Sequence, residues 1–120
     1  MPNPVVFWEI VGPDADRLRD FYAAAFGWLS SRHELVPSGY HYLSTDGVTQ
    51  KQGGIRQEVD DAPERVLYIG VPDVQSALDA VVAAGGTVIF GPIEQPGVPR
   101  FALFKDPAGN PTGVIEQASA

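Results

Sequence analysis

The chain has 120 residues and 44% hydrophobic content, enough for one domain with a core but with no apolar run that could span a bilayer. A net charge of −7, from 15 acids against 8 bases, repels phosphate backbones and argues against nucleic acid as a partner. The absence of cysteine excludes disulfides, zinc–thiolate sites and thiol nucleophiles together, and fits a cytoplasmic protein.

The start, Met1-Pro2-Asn3-Pro4, lacks the basic and apolar regions of a secretory signal. Val5 to Val11 reads as a buried strand, rich in β-branched and aromatic residues. Asp14 is placed to cap the helix that follows. On that helix Leu18, Phe21, Tyr22, Ala25 and Phe26 recur at spacings of three and four, which predicts one apolar stripe, and Gly27 stops it. Trp28 to Val36 reads as a second strand ended by Pro37-Ser38-Gly39. Tyr40 to Ser44 reads as a third, ended by the hairpin pair Asp46-Gly47. Gln50 to Val59 is a weaker fourth strand, in which Gly53-Gly54 marks a bulge or a close approach to the backbone. Residues 60–64 read as a linker.

The pattern then recurs. Pro13-Asp14 and Pro72-Asp73 are 59 residues apart, and the same shift carries Ile10 onto Ile69, Asp20 onto Asp79, Ala24 onto Ala83 and Gly27 onto Gly86. Val66 to Val71 is a strand, and Val74, Ala77, Leu78, Val81 and Val82 form a second helical stripe ended by Gly85-Gly86. Thr87 to Phe90 is a strand, Gly91 to Pro99 a proline-rich loop, Arg100 to Lys105 a strand, Asp106 to Asn110 a turn and Thr112 to Glu116 the last strand. The expected organisation is one α+β domain over residues 1–120. It holds two β-α-β-β-β modules, about 5–59 and about 65–117, that bury their faces on each other.

Three motifs carry a resemblance. Phe21-Tyr22 with Phe26-Gly27-Trp28, Val71-Pro72-Asp73-Val74 and Asp106-Pro107-Ala108-Gly109-Asn110 are similar to motifs of the vicinal oxygen chelate superfamily. That superfamily includes glyoxalase I, extradiol dioxygenases and bleomycin-resistance proteins. Phe26-Gly27-Trp28 most resembles the glyoxalase-like branch related to lactoylglutathione lyase. The resemblance implies a partly open, U-shaped barrel, a homodimer, and a cleft where a divalent metal chelates two substrate oxygens. The implied ligand positions are Phe7, Gly53 or Gly54, Val66 and Gly113. Phenyl, isopropyl and hydrogen offer no lone pair to an ion, so no metal is expected here.

Strand parity selects other residues. With Phe7 toward the cleft, Glu9 shares its face, whereas Trp8 and Ile10 lie under the helix. The same parity, and pairing of Phe104 with Gly113, brings Tyr40, Tyr42, Tyr68, Arg100 and Phe104 to the cleft and turns His41 away. Glu9 is either a general base or anchor for a ligand amine, or half of a structural bridge to Arg100, or an acid at a wet cleft mouth. Arg100 is either a carboxylate clamp or a solvated strand-end residue. His33 and His41 read as ordinary histidines. The aromatic, apolar lining suits a small planar organic ligand bound without metal, as in bleomycin-resistance proteins. The alternative is a lyase or isomerase related to lactoylglutathione lyase, either metal-dependent or using Glu9 as base.

Overall fold

The computed structural model describes residues 2–34, 39–60 and 63–117. Among these the order is β1 (Val5–Gly12), α1 (Ala15–Phe26), β2 (Leu29–Arg32), β3 (His41–Ser44), β4 (Gly53–Gln57), β5 (Glu64–Val71), α2 (Val74–Ala83), β6 (Thr87–Gln95), β7 (Val98–Lys105) and β8 (Pro111–Glu116). The α+β class and the repeated β-α-β-β-β order are therefore present. The expected end of the second strand at Val36, the Pro37-Ser38 turn, and Asp61 and Ala62 of the linker lie outside the described residues. Two compact units result. One runs Phe7–Val66; the other joins Leu67 onward to the residues before Phe7.

In the Phe7–Val66 unit the strand order is β2-β3-β4-β1, with β1 and β4 parallel and the other pairs antiparallel. A parallel return to β1 needs a long crossover, and α1, β2 and β3 supply it. Helix α1 starts where Asp14 accepts a hydrogen bond from the Arg17 N–H at 3.0 Å. It ends where Gly27 takes the left-handed conformation, at φ 72°, and donates to the Ala23 carbonyl at 2.9 Å. The core beneath it consists of Ile10, Ala15, Leu43 and Ile55, with Trp8, Leu18, Tyr22 and Trp28 packed around them.

The second unit repeats this plan as β5-β8-β7-β6, with β5 and β8 parallel. Its core under α2 is Val71, Val74, Leu78, Ala102, Phe104 and Val114. The 59-residue shift holds in three dimensions. It carries the Glu9–Gly54 pairing onto Tyr68–Gly113, and Ile10–Ile55 onto Ile69–Val114. It also carries a brace at the start of each helix. The Ala15 N–H donates to Gln57 Oε1 at 3.1 Å, and the Val74 N–H donates to Glu116 Oε2 at 3.3 Å. Each brace satisfies a donor that the first helical turn leaves without an intrahelical partner.

Four expectations need correction. The stripe on α1 is narrower than its periodicity predicts: Leu18 and Tyr22 face the sheet, while Phe21 and Phe26 are 56% and 66% exposed. On α2, Val82 is likewise exposed. Gly91 to Pro99 is not a loop. β6 continues to Gln95 and the turn falls at Pro96-Gly97, because three register shifts against β7 let the chain absorb its prolines and glycines. Finally, the Asp106 turn sets Phe104 opposite Thr112 and Leu103 opposite Gly113, one residue from the expected register. A one-residue slip exchanges the two faces of a strand.

Truncation experiments can separate core from surface. Ile55→Ala, at a fully buried position, should lower unfolding free energy by about 2–5 kcal/mol in urea denaturation. Val82→Ala should cost less than about 1 kcal/mol, an outcome incompatible with Val82 as part of the buried stripe.

Candidate functional site

The face of the first half-sheet away from α1 carries an acid that the protein has to compensate. Glu9 is 4% exposed, in the middle of β1. A buried carboxylate stays charged only where cations and hydrogen-bond donors replace its water. Arg56, on the parallel neighbour β4, supplies the cation: its Nε donates to Glu9 Oε1 at 2.9 Å. Tyr40 supplies the second donor, its hydroxyl lying 2.7 Å from Glu9 Oε2. Arg56 also reaches Glu58 at 2.7 Å and Glu64 at 3.6 Å, so one guanidinium gathers three carboxylates. Its planar fork with five N–H donors makes that possible.

Aromatic rings surround this network. Tyr42 stands edge-on to Phe7 at 6.2 Å and to Tyr40 at 5.5 Å, and stacks on His33 at 5.2 Å. The Lys51 ammonium lies 4.6 Å from the Tyr42 ring centroid, within cation–π range. Burial pushes the Tyr42 phenol above its ordinary value, so that ring stays neutral through the physiological range. Gly54 explains how Tyr40 comes so close to the sheet. A Cβ there would sit 2.1 Å from the Tyr40 hydroxyl oxygen. Gly53 makes the same room for the Trp8 ring on the opposite face, where a Cβ would lie 2.4 Å away.

Of the residues singled out from sequence, the structure brings Phe7, Glu9, Tyr40 and Tyr42 together on one face. Tyr68 belongs to the second unit, where its ring covers Gly113 and leaves 2.3 Å for a Cβ. Arg100 and Phe104 are corrections. Phe104 is in the core under α2, which follows from the register of β7. Arg100 pairs with Glu94 and lies 4.0 Å from Glu116, the residue that braces the start of α2. The proposed Glu9–Arg100 bridge is thus replaced by Glu9–Arg56. The sequence reading does not include Arg56 and takes His33 as an ordinary histidine, although strand parity reaches both. Arg56 follows Gly54 by two residues on β4, and His33 extends the β2–β3 pairing to face Tyr40, whose carbonyl accepts its N–H at 2.9 Å.

The divalent ion that the resemblance implies does not fit these residues. At positions 54 and 113 the space a ligating side chain would need holds Tyr40 and the Tyr68 ring, and Phe7 and Val66 carry no donor atom. Among the described residues no three His, Asp or Glu side chains converge as a metal group.

His41 points to the other face, as parity predicts. It is 2% exposed, and its Nε2 lies 2.7 Å from Asp16 Oδ1 in the first turn of α1. That hydrogen bond, with Arg19 and Arg32 nearby, holds the Asp16 carboxyl below its ordinary value. A depressed folded-state value stabilises the protein above the ordinary carboxylate range, and the contribution is lost as pH falls through the folded value. Asp16→Asn should therefore lower the urea midpoint at neutral pH, and the gap from the unmodified protein should close below about pH 4. A gap that stays constant with pH would assign the effect to something other than the Asp16 charge.

A family model described as a glyoxalase-like domain matches residues 7–115. The chain is 27% identical over 124 residues to the anthracycline biosynthesis protein DnrV of Streptomyces peucetius, covering 90% of this chain and 45% of that protein. It thus spans a little under half the length of this curated relative. Among solved structures, methylmalonyl-CoA epimerase from Mycobacterium tuberculosis superposes with a TM-score of 0.69 at 15% identity, covering 96% of this chain and 88% of that one. The Mn(II)-bound glyoxalase from Novosphingobium aromaticivorans gives 0.68 at 19% identity, covering 98% of this chain and 41% of that one. At these identities the structural likeness shows the fold.

Proposed function

The chain belongs to the glyoxalase-like domain family of the vicinal oxygen chelate superfamily, and on that premise we propose that it binds a small planar organic molecule on the Glu9 face without a divalent ion. The observation that carries this reading is the arrangement of Phe7, Tyr40 and Tyr42, half-buried rings grouped around a compensated carboxylate. Partly exposed rings offer flat apolar area, and the polar network fixes orientation. Relatedness to an anthracycline biosynthesis protein supports an aromatic ligand.

The test uses 2-naphthol as probe and calorimetry as readout. Saturable binding should be unchanged by EDTA and weakened about tenfold by Tyr42→Ala, the loss of a stacking ring. Stoichiometric uptake of one Mn, Ni or Zn ion per chain, with probe binding abolished by EDTA, would reject the reading.

A second reading makes the protein a lyase or isomerase with Glu9 as base, and the burial of Glu9 favours it. Its hydrogen bonds weigh against it, since Arg56 and Tyr40 already hold one carboxylate oxygen each.

Pairing of two copies is part of the proposal. Phe21, Phe26 and Leu29 leave exposed apolar area on the first unit, and relatives of about twice the length have room for a second such domain. Sedimentation should give a two-chain species that Phe21→Glu with Phe26→Glu converts to one chain; a monomer at all concentrations would refute it. Among the described residues no helix is long and apolar enough to cross a membrane.

A further inference from the structure

We propose that Lys51 sets the charge of the ligand: the Glu9 face takes a planar aromatic molecule that carries a carboxylate, and the Lys51 ammonium pairs with that carboxylate. This inference rests on the Glu9 face being the ligand site, and deepens that reading by naming the ligand's charge and the residue that selects it.

The cation is placed and uncommitted. Lys51 is exposed, and its ammonium lies 4.6 Å from the centroid of the half-buried Tyr42 ring. A ligand ring that reaches Tyr42 therefore comes close to that charge. Among the described residues Lys51 forms no ion pair, whereas Arg19, Arg56 and Arg100 are each tied to carboxylates. Asp46, in the same connection between β3 and β4, turns back into its own loop, where it accepts the N–H groups of Val48 and Thr49 at 2.8 and 2.7 Å. The base of the lysine is anchored by its neighbour. Gln52 accepts the Thr45 N–H on its side-chain oxygen at 2.6 Å and donates its own N–H to the Leu43 carbonyl at 3.1 Å.

Charge decides what this group can hold. Arg56 is already surrounded by three carboxylates, so it has less to offer a ligand anion than Lys51. A ligand amine would meet like charge at Tyr42, and a neutral ring would leave the ammonium unpaired. An aromatic carboxylate brings the opposite charge on a flat ring that suits Tyr42 and Phe7. The flexible four-carbon stem of lysine lets the ammonium swing from ring to carboxylate while its base stays fixed. A cation–π contact at an exposed site is weak enough to be exchanged for an ion pair. The net charge of −7 does not oppose this, because exposed charges more than about 8 Å away are largely screened at physiological ionic strength. The nearest charge then governs.

The experiment compares 2-naphthoate with 2-naphthamide, a neutral molecule of nearly the same shape, by calorimetry at neutral pH and low ionic strength. The unmodified chain should bind the acid about three- to fivefold more tightly, the value of one exposed ion pair, and the difference should shrink in high salt. Lys51→Met, which removes the charge and keeps an aliphatic stem, should bring the two affinities together, and Lys51→Glu should favour the amide. Equal binding of the two compounds by the unmodified chain, or tighter binding of the amide, overturns the role given to Lys51 and leaves the aromatic face standing as a ligand site. A preference for the acid that survives in Lys51→Met also overturns it. Failure of both compounds to bind rejects the aromatic face and this inference with it. The comparison on the unmodified chain decides the outcome even where a variant does not fold.

Discussion

The contact between Arg56 and Glu9 is the constraint that shapes the first unit. An ionised carboxylate inside a half-sheet costs several kcal/mol unless it is paired and hydrogen-bonded. Once Glu9 occupies β1, the neighbouring strand has to bring a cation to the same face. The parallel register of β1 and β4 does so by setting Val11 opposite Arg56 and Glu9 opposite Gly54. Tyr40 then has to lie close enough to reach the second oxygen, and only a residue without a side chain at position 54 allows it. Glycine, arginine and tyrosine are thus consequences of one acid. A pair of this kind is weak evidence for stability, since apolar residues could fill the space at less cost.

The two units show which parts of the repeat are scaffold. Both keep a capping aspartate, a side-chain brace on the first helical N–H and the same strand pairings. These features solve problems common to both halves: helix starts need acceptors, and parallel strands need crossovers. The units diverge on the sheet face away from the helix. Where one has Glu9, the other has Tyr68; both keep a glycine opposite, at 54 and 113, and both use it to seat a tyrosine. The rings come from different strands, Tyr40 from the edge of β3 in one case and Tyr68 from β5 itself in the other. The shared element is therefore the open backbone, and the chemistry above it varies.

Much of this was legible in the chain. Period-two alternation placed Phe7 and Glu9 on one face and turned His41 toward the helix, where it meets Asp16. The cap residues and the 59-residue recurrence gave the element order. What failed depended on register, which a sequence does not state. The Asp106 carboxylate accepts the N–H groups of Ala108 and Asn110, each at 2.9 Å, and the Asp106 N–H donates to the Asn110 carbonyl at 3.0 Å. That closure pairs Lys105 with Pro111, and all of β7 follows, taking Arg100 and Phe104 to the helix side. Phe21 and Phe26 failed for another reason. Helical periodicity marks an apolar arc but not how much of it a four-stranded half-sheet can cover, and α1 buries only the part nearest Ala15, Leu18 and Tyr22. Arg56 follows Gly53-Gly54 on β4, and a charged residue in such a strand reads as solvated from sequence alone.

Side chains without donor atoms at the implied ligand positions have a packing consequence. A divalent ion in a half-sheet cleft supplies a strong, fixed positive charge that polarises a ligand's oxygens. Positions 7, 54, 66 and 113 carry no side-chain donor for such an ion. Substituting hydrogen for a ligating side chain opens volume, and a well-packed interior does not leave such volume empty. Tyrosine rings fill it here, and a tyrosine carries a polar group that an aliphatic filler would not. At both glycines the filled space carries a phenol, Tyr40 over Gly54 and Tyr68 over Gly113.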